Sequence, residues 1–82
     1  KNMAKRPIYQ IAQDIKDNWK NPSPYALAYL NPMLTLNSID DNYFFDDARS
    51  IVLYFLSNAG GFRGEKAREL KKELKDLLKN KK

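Results

Sequence analysis

The sequence predicts an all-α fold, a compact bundle of four helices, or five if Pro32 splits the second. Three observations carry this. Apolar residues recur at three- and four-residue intervals in four separate stretches, the spacing that lines one face of a helix. Proline and glycine clusters, "KNPSP" and "NAGG", punctuate the chain between them. No run alternates Val, Thr or Ile with polar residues as a strand would, and there is no internal repeat or low-complexity tract.

Pro7 opens the first element, where a missing N–H costs a helix nothing. Ile8, Ile11, Ala12, Ile15 and Trp19 then share one stripe, so a helix is expected over 7–20. "KNPSP" ends it, because proline removes a donor and disfavours helical geometry in the residue before it. Ser23 followed by Pro24 is an N-cap and first-position pair, so a second helix starts there. Its face would be Tyr25, Ala28, Tyr29, Pro32, Met33 and Leu36. Pro32 conflicts with that pattern, which leaves a bent helix over 24–36 or two pieces meeting near Asn31.

Residues 40 to 47 hold four aspartates and three aromatics ahead of an apolar run. Ser38 with Asp41 three residues on approximates a capping box, with Asp40 an alternative cap; acids there suit the positive end of a helix dipole. Phe44, Ala48, Ile51, Val52, Phe55, Leu56 and Ala59 form a face wide enough for the central helix, with Leu53 and Tyr54 thickening it. "NAGG" at 58–61 offers a left-handed stop. The last helix starts near Gly64, buries Ala67, Leu70, Leu74, Leu77 and Leu78, and pairs Glu69 with Lys72 and Lys72 with Asp76 outside.

Eighty-two residues fit one domain, with 1–6 and 79–82 expected to fray. Met3 reads as the natural start. There is no cysteine and no histidine, which removes disulfides, thiolate nucleophiles, imidazole bases and the usual zinc sites; no cofactor is implied. The longest apolar run is the six residues Ile51 to Leu56, so no membrane partner is expected and the chain reads as soluble and cytoplasmic. The net charge of +5 is uneven: residues 21–62 carry one basic and four acidic groups, and residues 63–82 nine basic and four acidic. Basic ends raise the prospect of an acidic partner, although such charge also serves solubility.

Asp40, Asp41, Asp46 and Asp47 invite a metal reading, but "DDNYFFDDARSI" has phenylalanine where an EF-hand loop needs glycine and isoleucine where it needs glutamate. Capping, with Asp46 paired to Arg49, accounts for them instead. The basic last helix offers Arg63, Lys66, Lys71, Lys75 and Lys79 to phosphates, but interspersed acids would dilute such a face, and the "NAGGFRG" connection is long for a helix-turn-helix. Tyr43, Phe44, Phe62 and Arg63, in and near loops, are the residue types that anchor protein interfaces. Core packing competes for these rings, more so at Phe45 and Phe62, leaving Tyr43 and Arg63 as the better surface candidates. The leucine stripe could seal a homodimer, but it spans under two heptads and suits its own bundle better, so a monomer or a homodimer is expected.

The stretches "LNSIDDNY", "ARSIVLYFLSNA" and "RGEKARELKKEL" together resemble small uncharacterised proteins encoded by bacteriophages, prophages and other bacterial mobile elements, over Pro7 to about Leu78. The resemblance implies a bacterial or phage origin and a small helical domain, and by analogy a binding role rather than catalysis. It transfers no functional residue. The expected function is therefore a non-enzymatic interaction module for a host or phage protein, with nucleic-acid binding through the basic ends as the alternative.

Overall fold

The computed structural model describes residues 6–79, which form four helices and one two-stranded ribbon. The expected all-α architecture is present, with a short antiparallel pairing that the sequence did not announce.

Helix α1 (Ile8–Asn18) is shorter than expected at both ends. Pro7 has φ −65° and ψ 152°, so it is the N-cap rather than the first helical residue. The free amides of the first turn are satisfied from far along the chain: Ile8 N donates to Asn37 O at 2.9 Å and Tyr9 N to Leu36 O at 2.8 Å. At the other end Trp19 leaves the helix and stacks on Phe62, ring centroids 5.1 Å apart.

Helix α2 (Pro24–Met33) begins as expected, with the Ser23 hydroxyl accepting from Ala26 N at 3.1 Å. It is one helix, neither split at Asn31 nor extended to 36. Pro32 lies in its last turn, and the amides of Thr35 and Leu36 turn back to the carbonyls of Pro32 and Met33 at 3.0 and 3.2 Å. A proline this near the end shortens a helix instead of kinking it, because few bonds remain to be broken.

The third helix does not start at Ser38, Asp40 or Asp41. The chain first makes a ribbon of β1 (Asn42–Tyr43) and β2 (Asp46–Asp47), with Asn42 opposite Asp47 and Tyr43 opposite Asp46. Helix α3 (Ala48–Ser57) then starts under Asp47, whose carboxylate accepts from Ser50 N at 2.8 Å. Leu53 and Tyr54 do not thicken the buried face of α3; both are exposed. The glycines of "NAGG" are not left-handed, since Asn58 closes α3 at φ −110° and, among the described residues, Gly64 is the one glycine with positive φ, at 106°. Gly64 stands instead at the entry to α4 (Glu65–Lys79), its carbonyl accepting from Arg68 N at 3.0 Å.

Helix α1 packs on α4, α2 on α3, and α1 joins the two pairs through α2. The extents are 33 × 33 × 18 Å, a slab under two helix diameters thick at about 10 Å each, so one apolar layer serves all four helices. Ile8, Ile11, Ile15, Leu30, Met33, Phe55, Leu70 and Leu74 fill it. No polar or charged side chain among the described residues is buried. The Ala67, Leu70, Leu74 and Leu77 stripe is spent on this core, as its length suggested, and is not a free dimerisation seam. The fraying expected over 1–6 and 79–82 falls mostly outside the described residues; of the two described ones, Lys79 is the last residue of α4 and Arg6 is ion-paired to Asp14 and Glu73.

Candidate functional site

The segment from Asn37 to Asp47 is built by its own acids. Asp41 accepts from Asn37 N at 2.9 Å and Ser38 N at 3.0 Å, while the Ser38 hydroxyl accepts from Asp40 N at 3.0 Å. These are half the bonds of a capping box without the helix that follows one. They hold the Asp41 carboxyl below the usual carboxylate range, Ser38 N–H contributing more than Asn37. The Asp41 carbonyl accepts from Ala48 N at 2.8 Å and closes the ribbon against the start of α3. The four aspartates are thus divided between a turn, a loop, the ribbon and a cap; among the described residues no three carboxylates converge as a metal would require.

At the ribbon tip Phe44 has φ 57°, the left-handed region that two-residue hairpin turns normally give to glycine, asparagine or aspartate. Phe44 is 83% exposed and Phe45 fully so. Phe45, expected in the core, and Phe44, expected on the apolar face of the third helix, both project from the turn, because the helix starts later than the acids implied. Tyr43 is half-buried, with Phe44 edge-on at 4.7 Å between centroids.

Beside the ribbon, α2 and α3 leave a cleft of about 240 Å³ lined by Ala28, Tyr29, Pro32, Tyr43, Asp46 and Tyr54, among others. Tyr29 and Tyr54 meet across the two helices at 5.5 Å between centroids. Sequence reasoning gave both tyrosines to the core. Their one legible signal was chemical, since a phenolic hydroxyl needs a partner or water and favours the edge of a core. Arg49 does not pair with Asp46; it crosses to α4 and donates to Leu78 O at 2.7 Å. No ion pair reaches Asp46 from any described residue.

The remaining candidates separate. Phe62 is 3% exposed and stacked on Trp19, so it is core and offers no contact to a partner. Arg63 is exposed. Lys71 lies over the Phe62 ring at 5.8 Å, and its ammonium is pushed down chiefly by burial, then by Lys75 and Arg63, which places these three cations near one another. Lys66 is not with them; it sits 3.9 Å from Glu69. At about 100° per residue, Arg68, Lys71, Lys72, Lys75 and Lys79 fall on one flank of the buried stripe of α4, and Glu65, Glu69, Glu73 and Asp76 on the other. The acids thus lie mainly on the opposite flank, and the two flanks meet on the solvent side at Lys72 and Asp76. Lys72 pairs with Asp76 at 3.3 Å as expected, whereas Glu69 takes Lys66 in place of Lys72.

No helix among the described residues is long and apolar enough to cross a membrane. No family model matches the chain, and no curated protein or solved structure matches it either.

Proposed function

We propose that the protein is a non-enzymatic interaction module, of the phage or mobile-element kind its sequence resembles, that binds a host or phage protein through the face formed by the ribbon, α2 and α3. The observation that carries this reading is the ribbon tip, where Phe44 and Phe45 stand in solvent and Phe44 occupies a backbone region unfavourable to it. Such an arrangement works against folding, through exposed rings and a left-handed residue, and positions of this kind concentrate at functional sites. Tyr25, Leu53 and Tyr54 are exposed as well, on the two helices that flank the cleft. This middle part of the chain carries one basic and four acidic groups, so the complementary partner is a basic segment with apolar side chains.

The basic flank of α4 supports a second reading, in which Arg63, Lys71, Lys75 and Lys79 contact phosphates. Tagged wild type and a Phe44→Ser/Phe45→Ser variant, used to capture partners from bacterial lysate with and without nuclease at two salt concentrations, separate the two. The interaction module yields a protein that survives nuclease and high salt and is lost in the variant. Recovery limited to salt-sensitive nucleic acid, unchanged by the variant, replaces it with the second reading.

A further inference from the structure

We infer that the cleft between α2, α3 and the ribbon is a receptor for one alkylammonium group, the side chain of a lysine on the partner. The inference rests on the aromatic face being the protein-contact surface, and it names what that face recognises.

Three tyrosines, Tyr29, Tyr43 and Tyr54, line one cleft together with Asp46, the Tyr29 and Tyr54 rings 5.5 Å apart between centroids. Aromatic rings attract a cation through their negative faces within about 6 Å of the centroid, and a carboxylate adds direct charge. Asp46 has no ion-pair partner among the described residues, because Arg49 is spent on the Leu78 carbonyl. An ammonium brings three N–H donors to the Asp46 carboxylate, which suits it better than it suits a fully methylated nitrogen.

Size and charge agree. About 240 Å³ is below the roughly 300 Å³ at which small-molecule sites begin, and corresponds to one long side chain rather than a cofactor. Although the whole chain is +5, residues 21–62 are net acidic, one basic against four acidic, so the local balance favours a cation.

The test is a titration of isotope-labelled wild type with n-butylammonium chloride, followed by NMR of the tyrosine rings and of Asp46 N–H, with n-butanol and sodium chloride as controls. A saturable shift at Tyr29, Tyr43 and Tyr54 is expected with butylammonium, at least tenfold weaker affinity for n-butanol, and a comparable loss in Asp46→Asn, whose exposed site leaves the fold intact. Equal response to butylammonium and butanol, or no saturable shift, overturns the inference. A partner captured by wild type, lost in Phe44→Ser/Phe45→Ser and unaffected by Asp46→Asn also overturns it while leaving the interaction module standing.

Discussion

Arg6 grips Glu73 at two points, Nε donating to Oε1 at 2.9 Å and Nη2 to Oε2 at 2.7 Å, while its Nη1 donates to Asp14 at 2.8 Å. One guanidinium thereby ties the residue before Pro7 to α1 and to the acidic flank of α4, 67 positions away in sequence. The bonds to Glu73 first, then Asp14, hold the guanidinium above its already high ordinary value, so it stays charged at every workable pH. All three side chains remain about a third exposed, which screens the interaction.

Removing this clasp should cost about 1 kcal/mol, the upper part of the range for exposed pairs, because the geometry is bidentate and shared. Arg6→Ala should lower the midpoint of thermal unfolding by about 4–8 °C. Arg6→Lys should restore little, since an ammonium cannot span three points in a fixed fork. A double-mutant cycle with Glu73→Ala, read by urea unfolding, checks this; a coupling near zero would show the clasp to be energetically idle.

Trp19, Phe55 and Phe62 close the end of the slab where α1 stops, Trp19 being stacked on Phe62 at 5.1 Å and edge-on to Phe55 at 6.3 Å. Phe62→Ala should cost about 3–5 kcal/mol, enough to threaten a domain whose total is about 5–15 kcal/mol. Phe62→Leu should cost about 1.5 kcal/mol or less and remain folded. Trp19 fluorescence reports both. Wild-type stability in Phe62→Leu together with a lost partner would return Phe62 to the contact surface from which its burial removes it.

The helices were legible because each carries its signal locally. Ser23–Pro24 marks the start of α2, and Ala67, Leu70, Leu74 and Leu77 mark the face of α4. The ribbon was not legible, since Ser38 and Asp41 satisfy a capping rule whose bonds also suit a turn, and Asp47, six residues on, is an equally good cap. Which cap wins depends on Ile8 and Tyr9 N–H drawing the Leu36 and Asn37 carbonyls toward α1, a contact across the chain that no local rule contains. The cleft depends in turn on the ribbon, because Tyr43 and Asp46 reach it only from there.

Acid should weaken the fold through the same segment. Asp47 is held below the usual carboxylate range by the Ser50 side chain and amide, with Arg49 contributing, and Asp41 by Ser38 and Asn37. A carboxylate depressed in the folded state contributes stability that is fully present above its unfolded pKa, about 4, and is lost as pH falls through the lower folded value. The urea midpoint should therefore hold from neutrality to about pH 5 and fall below about pH 4. Asp47→Asn keeps a good N-cap but cannot titrate, so its midpoint should fall less steeply in acid than that of wild type. An identical acid slope in Asp47→Asn and Asp41→Asn would place the linkage elsewhere.

Phe44 offers the sharpest separation of stability from function. At φ 57° a bulky residue bears a left-handed penalty of about 1–2 kcal/mol, which asparagine largely avoids through its short polar side chain. The Phe44 ring is mostly in solvent, and its one close aromatic neighbour is Tyr43, so little packing is lost when it is removed. Phe44→Asn should then raise stability by about 0.5–1 kcal/mol while abolishing capture of the partner. Destabilisation would mean that the ring supports the ribbon through Tyr43, and its exposure would no longer count as a sign of binding. A more stable protein that no longer binds would show that the turn keeps an unfavourable residue for the sake of its partner.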